Sequence, residues 1–276
     1  MPAHGPSLSS RYRSALITGA SSGIGKALAR ALLLENVVVH GTSRQPTAGN
    51  RDPAVNWIPF NGASPAHLES FLKDNAKLLS SVDILVNSSG SSTFGELASI
   101  PEEALSGQLH LLLEAPVRLT REVLPAMRRR GGGAVVNITS LAAGFPLPYM
   151  AAYTAGKCGL SGFTQSLILT EKSRGITLLD FQAGDFRTAF NDHMSRRPAL
   201  PQDEAVVWER VEHHLRKAPA PEKAATDIVR ALRRGRSGVI RSGGFFQTRI
   251  AVLGMRLLPR RSLFHLIRSY YGLRRR

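Results

Sequence analysis

The sequence predicts an α/β protein of the doubly wound kind, with a seven-stranded, mainly parallel sheet and helices on both faces. Three observations carry that expectation. Short β-branched or apolar runs alternate with longer segments of helical apolar spacing. Runs such as Val37-Val38-Val39 and Ile84-Leu85-Val86 are continuously apolar, as strands covered on both faces of a parallel sheet are. The first run also passes through a glycine turn straight into a helical pattern.

Residues 15–18 are the first predicted strand, and the spacing of 24–34 gives the helix leading to the second strand, 37–41. A third strand at 55–60 is followed by a helix at 66–79 and a fourth strand at 82–87. The spacing then predicts one long helix over 102–127, a fifth strand at 134–139, a helix at 151–172 and a sixth strand at 177–181. A last crossover helix, 221–233, precedes the seventh strand, 238–240. Residues 187–220 fit the alternation badly, because Pro198, Pro201 and Pro219 surround a single helical stretch, 203–217. An insertion after a late strand lies where ligands bind in open sheets, so it reads as a lid. The expected organisation is a flexible leader (1–13), one domain (14–244) carrying the lid-like insertion (187–220), and a basic amphipathic tail (245–276).

Composition narrows the function. The 276 residues are 43% hydrophobic and 20% charged, which disfavours wholesale disorder, collagen and coiled coil. A single cysteine, Cys158, cannot close an internal disulfide or build a Cys-rich metal site, and the expected compartment is the cytoplasm, with a peripheral place at a membrane left open. No HExxH or Cys/His spacing is present, so no metal is expected. The net charge of +16 is concentrated at one end: residues 228–276 hold 13 Arg and no acidic residue, leaving the preceding part at +3. No apolar run is long enough to cross a bilayer, and the start of the chain has no apolar signal-peptide core.

The glycine turn, Thr18-Gly19-Ala20-Ser21-Ser22-Gly23-Ile24-Gly25, suits a nucleotide. Glycine permits a tight turn and close approach of backbone to a diphosphate, whose charge is favoured by the free N–H groups at a helix start. Its spacing, Gly19-x3-Gly23-x-Gly25, resembles the cofactor turn of the classical short-chain dehydrogenase/reductase family. Asn87-Ser88-Ser89-Gly90 resembles that family's Asn-Asn-Ala-Gly segment, and Ser140, Tyr153 and Lys157 resemble its catalytic Ser and Tyr-x3-Lys. The resemblance covers residues 14–243 and implies a Rossmann-type fold and a nicotinamide cofactor. It implies cofactor contacts at Gly19, Ser21, Ser22, Gly23, Ile24, Gly25, Asn87, Ser88, Ser89, Gly90 and Tyr153, with Lys157 on the nicotinamide ribose and Gly184 and Thr188 at the nicotinamide end. Homo-oligomers are implied as well.

Choice of cofactor is read after the second strand, in His40-Gly41-Thr42-Ser43-Arg44. An acidic residue there would bind a ribose diol, whereas Arg44 offers a positive fork to a 2′-phosphate and Ser43 a second donor. NADP(H) is therefore expected over NAD(H), with Asn61 beside the adenine.

Tyr153 and Lys157, four apart on a helix, share a face. The Lys157 ammonium is expected to lower the phenol pKa, so that Tyr153 exchanges a proton with the substrate oxygen while Ser140 hydrogen-bonds it. The sequence departs from the family near the catalytic residues as well as at Ser88-Ser89 and at Asn61, which stands where the family often has an Asp. Ala183-Gly184 replaces Pro-Gly, Gly156 replaces the serine before the lysine, and Leu112 or Leu113 stands where a relay asparagine is expected, with His110 nearby.

In the tail, residues 249–271 form two amphipathic patterns split by Pro259 and flanked by arginines. They suit an anionic membrane surface or docking on the protein's own body, and no nucleic-acid partner is expected. With Phe186, Phe190 and Trp208 they point to a lipophilic substrate. The expected function is NADP(H)-dependent interconversion of a ketone or aldehyde and an alcohol. The alternative is a catalytically weak nucleotide-binding regulatory or membrane-surface interaction protein.

Overall fold

The computed structural model describes residues 7–45, 51–171, 174–190 and 194–273. From the N-terminal side run β1 (Ser14–Thr18), α1 (Gly23–Leu34), β2 (Val38–Ser43), β3 (Asn56–Pro59), α2 (Pro65–Asp74), α3 (Ala76–Ser81), β4 (Ile84–Asn87) and β5 (Thr93–Phe94). There follow α4 (Glu102–Leu109), a π-helical turn (His110–Glu114), α5 (Ala115–Arg129), β6 (Gly133–Ser140), α6 (Ala151–Glu171), β7 (Ile176–Ala183) and β8 (Ser195–Arg196). Then come α7 (Gln202–Arg216), α8 (Pro221–Arg234), β9 (Gly238–Ser242), a second π-helical turn (Phe246–Ala251), α9 (Val252–Leu257) and α10 (Arg260–Tyr270).

Seven of the strands form one sheet in the order β3-β2-β1-β4-β6-β7-β9, and every neighbouring pair is parallel. The order turns back between β1 and β4, which opens a crevice at their C-terminal ends. Alternate residues of each strand serve opposite faces. Ile17, Val39 and Phe181 join Leu28, Leu32, Ile228 and Leu232 of α1 and α8 on one side. Leu16, Leu85 and Leu178 join Leu68, Leu119 and Val123 of α2 and α5 on the other.

The expected seven-stranded, doubly wound sheet is thus present, with differences in the helices. The expected helix 66–79 is two, because Asn75 ends the first: its Nδ2 donates to the Phe71 carbonyl at 2.9 Å. Ser64 starts it by accepting from the His67 N–H, with Pro65 in the first turn. The expected helix 102–127 is interrupted by the π-helical turn, which apolar spacing does not reveal. Strands β5 and β8 pair with each other outside the main sheet. Residues 8–12 of the leader expected over 1–13 belong to the folded body, since Leu8 and Tyr12 are buried in the core and the Tyr12 hydroxyl donates to Thr177 Oγ1. Residues 1–6 lie outside the described residues.

A small third core packs Phe94, Met150, Met194, Val207 and Trp208 together, with Tyr153, Phe190 and Tyr271 against it. It ties α7, within the insertion 187–220, to the C-terminal ends of the strands.

Candidate active site

The glycine turn is shaped by two left-handed residues, Gly19 (φ 68°) and Gly23 (φ 53°). A Cβ on Gly19 would lie 2.9 Å from Ser89 Cα. Ser22 precedes α1 without a capping hydrogen bond from its side chain, which leaves N–H groups of the first helical turn to other partners. Gly19, Ser21, Ser22, Gly23 and Ile24 line a cleft of about 850 Å³. Gly25 does not line it: its Cβ would meet the Gly19 carbonyl oxygen at 2.4 Å, so this glycine serves the close packing of α1 on the turn. That corrects the expectation of a direct cofactor contact.

Thr18, which no motif flagged, locks the opposite wall. Its hydroxyl accepts from the backbone N–H groups of Ser88 (3.0 Å) and Ser89 (3.1 Å), and Ser88, Ser89 and Gly90 line the cleft. Asn87 is not on the wall. It is buried and donates to Asn137 Oδ1 at 2.7 Å, while Asn137 donates to Thr164 Oγ1 at 2.7 Å. This chain ties β4 and β6 to α6, and Asn87 is a positioning residue where a cofactor contact was expected.

Ser43, Arg44 and Asn61 all line the cleft. Arg44 is exposed, whereas Ser43 Oγ already accepts from Arg51 Nη2 (3.0 Å) and the Gln45 N–H (3.2 Å). Arg51 thereby brings to Ser43 a guanidinium that the motif reading did not include. Asn61 Oδ1 accepts from the Ala63 N–H at 3.2 Å.

Ser140 ends β6, and Tyr153 and Lys157 stand in the first turns of α6. The helix is set against the sheet by Asp180 of β7, which accepts from Ser161 Oγ (2.7 Å), Gln165 Nε2 (2.9 Å), Gln182 Nε2 (3.0 Å) and the Thr139 hydroxyl. All three predicted catalytic residues line the cleft, and Ser140 is near enough to the Tyr153 hydroxyl to act on its pKa. The Lys157 ammonium donates to the Ile138 carbonyl at 2.7 Å and lies 5.9 Å from the centre of the Tyr153 ring.

The expected fall in the Tyr153 pKa does not occur in the free site. Burial pushes it up to about 12, against the Ser140 hydrogen bond and with the charge of Asp185 adding to the rise. The same burial pushes Lys157 down to about 8. At neutral pH the phenol therefore keeps its proton.

Gly184 and Thr188 also line the cleft, and a Cβ on Gly23 would lie 3.4 Å from Thr188 Cγ2. Leu112 is buried against α6, where a Cβ on Gly156 would come within 2.8 Å of its own Cβ. Leucine in place of asparagine and glycine in place of serine are thus two halves of one packing arrangement. His110 offers no replacement relay from the wall, since it is not among the lining residues and its Nδ1 is held 2.8 Å from Glu114 Oε2.

Phe246, Ile250, Leu258, Leu263, Leu266 and Ile267 bring the tail into the cleft wall. Part of the tail is therefore docked on the body. Asp185, His214 and Gln247 complete a polar patch there that no sequence motif marked.

Fold and site together define a nucleotide-binding oxidoreductase of the doubly wound class. Residues 13–199 match the family model described as short chain dehydrogenase, and the chain belongs to that family. It is 27% identical over 274 residues to the 3-ketodihydrosphingosine reductase of Bacteroides thetaiotaomicron, covering 94% of this chain and 98% of that protein. A solved short-chain dehydrogenase from Streptomyces avermitilis superposes with a TM-score of 0.77 at 26% identity, over 95% of this chain and 98% of that one. Two more distant structures share the fold, each at 19% identity. A 3-ketoacyl-(acyl-carrier-protein) reductase from Brucella melitensis, complexed with NADH, gives a TM-score of 0.67 over 83% of this chain and 96% of that one. A short chain dehydrogenase from Burkholderia cenocepacia, in complex with NADP, gives 0.73 over 93% and 98%.

Proposed function

We propose that the protein is an NADP(H)-dependent enzyme that interconverts a lipophilic ketone or aldehyde and its alcohol. The observation that carries this reading is the meeting of Ser140, Tyr153 and Lys157 in one cleft with the glycine turn and the apolar side chains of the tail. The uncapped start of α1 and the left-handed glycines fit a dinucleotide diphosphate, with the Ser88–Gly90 segment as the facing wall.

A bound nicotinamide would supply the hydride. Ser140 and Tyr153 hydrogen-bond the substrate oxygen, and the Tyr153 phenol donates its proton to that oxygen in reduction. Lys157, still charged at neutral pH, stabilises the phenolate left behind and stands ready for the ribose hydroxyls. A phenol whose pKa is pushed up to about 12 suits the reductive direction. The apolar wall suits a lipophilic substrate, and the name of the Bacteroides relative states a keto compound.

Exposed Arg44 at the cleft, with no acidic residue at the end of β2, supports NADPH over NADH. Titration of the purified protein with each cofactor tests this. Arg44→Ala is expected to weaken NADPH binding by about tenfold or more and to leave NADH binding unchanged, because a charge-assisted contact to the 2′-phosphate is lost. Equal weakening of both would remove Arg44 as the selector. Turnover is then sought on aliphatic, aromatic and steroid ketones.

The tail supports a peripheral lipid contact as well. Leu253, Leu257 and Phe264 are exposed and do not line the cleft, and Arg249, Arg260, Arg261 and Arg268 stand among them in the chain. No helix among the described residues is long and apolar enough to cross a membrane. Co-sedimentation with phosphatidylserine vesicles, weakened at high salt and absent with phosphatidylcholine alone, is the expected result. Equal recovery with both vesicles would remove the electrostatic part of this reading.

A further inference from the structure

The cleft wall holds a carboxylate that the reaction above does not use. Asp185 follows Gly184 just after β7 and lines the cleft together with Tyr153. Gln247, from the second π-helical turn, fixes it at two points. Its Nε2 donates to Asp185 Oδ2 at 2.5 Å, and its Oε1 accepts from the Asp185 N–H at 3.0 Å. The other carboxylate oxygen receives no hydrogen bond from the described residues.

Asp185 is part-buried in the cleft wall, and a carboxylate so placed favours a cation as its partner. Among the described residues, the basic group whose charge reaches Asp185 is His214, on α7. Burial holds that imidazole below its ordinary pKa, so it is uncharged at neutral pH. The other titratable groups around Asp185 are Tyr153 on α6, Tyr270 at the end of α10 and the following Tyr271. In each of them burial raises the pKa and the charge of Asp185 adds to the rise. Burial raises the pKa of Asp185 too, against its hydrogen bond from Gln247, so among the described residues this cleft wall carries an acid with no charged lysine or arginine bonded to it.

We propose that Asp185 binds an ammonium group carried by the substrate close to its carbonyl, so that the cleft selects amphiphilic amino ketones over neutral ketones of equal chain length. This rests on the lipophilic-ketone reading of the same cleft and adds one contact to it. Apolar tail residues hold the chain, Ser140 and Tyr153 hold the carbonyl oxygen, and Asp185 holds the amine. In a partly enclosed site the pair is stronger than in water, and Gln247 keeps the carboxylate from turning away. No proton needs to move between the two groups. Asp185 is a specificity residue, and its effect falls on binding.

Two measurements at pH 7.5 test it. In the first, octylamine and octanol are titrated calorimetrically into the protein saturated with NADP+. Wild type is expected to bind the amine more tightly than the alcohol. Asp185→Asn, which keeps the shape and the acceptor for Gln247, is expected to weaken amine binding by about ten- to a hundredfold and to leave octanol unchanged. An equal loss for both ligands, or no loss for the amine, overturns the proposal. In the second, turnover of a long-chain 2-amino-3-ketone is compared with that of its N-acetyl derivative. Asp185→Asn is expected to raise KM for the free amine at least tenfold more than KM for the N-acetyl compound, whereas any change in kcat through the Tyr153 phenol is expected to be shared by both; equal changes in the two KM values overturn the proposal. If wild type prefers octylamine yet reduces neither ketone, the ammonium site stands and the reductase reading fails.

Discussion

Replacing Tyr153 with phenylalanine is expected to lower kcat by about 10²- to 10⁴-fold with NADPH binding retained, the usual range for loss of a positioned proton donor. The change is confined to one hydroxyl. The ring keeps its packing on Phe190, with centroids 5.8 Å apart, and Lys157 keeps its own bond to the Ile138 carbonyl. Ser140 still accepts from the Ala142 N–H at 3.0 Å, so the end of β6 has no cause to move. What disappears is the phenolic proton near Ser140 that a pKa raised to about 12 retains at neutral pH. The check is NADPH oxidation with whichever ketone wild type reduces, alongside a cofactor titration and a thermal melt. A kcat within about threefold of wild type would mean that another group donates the proton. Loss of cofactor binding along with kcat would instead mean that the substitution disturbs the cleft as a whole.

The placing of Tyr153 and Lys157 in this cleft was legible in the sequence because the signals are local. A strand covered on both faces must be apolar along its length, and Tyr153 and Lys157 share a helix face by spacing alone. The glycine turn is legible for the same reason, since strand, turn and helix start are consecutive. What the sequence left open depends on contacts between distant segments. Thr18 and Ser88 meet only when β1 and β4 pair. Asn87 is drawn away from the cleft by Asn137, a partner on another strand. The break at Asn75 and the π-helical turn at His110–Glu114 lie within apolar spacing that continues through them, so periodicity could not place either. Asp185 reads as an ordinary loop residue until Gln247, from beyond the last strand, closes on it. Of the two readings of the tail, docking on the body is seen in Leu263 and Ile267 of the cleft wall, while Leu257 and Phe264 are exposed.

Gly25→Val is expected to weaken NADPH and NADH alike, by about tenfold or more for each, and to lower the melting temperature. The cause is steric and acts on the turn that would hold the diphosphate common to both cofactors. A Cβ at Gly25 would lie 2.4 Å from the Gly19 carbonyl oxygen and 3.1 Å from Ser88 Oγ. Gly19 has little freedom to shift, because the turn depends on its left-handed φ of 68° and Ser89 stands close by, 2.9 Å from where a Gly19 Cβ would be. Any relief therefore moves the start of α1 away from the turn, and the N–H groups there lose their common direction. Overpacking of this kind costs about 1–3 kcal/mol of stability. Gly162, also helical, supplies the control: a Cβ there meets nothing within 4 Å, so Gly162→Ala is expected to raise stability by about 0.5–1 kcal/mol through helix propensity alone and to leave both cofactors bound as before. Because Gly25 does not line the cleft, normal cofactor binding in Gly25→Val would show that the turn holds its shape without this close contact. The pattern across variants then separates the two ends of the dinucleotide. Arg44→Ala should discriminate between NADPH and NADH, and Gly25→Val should not.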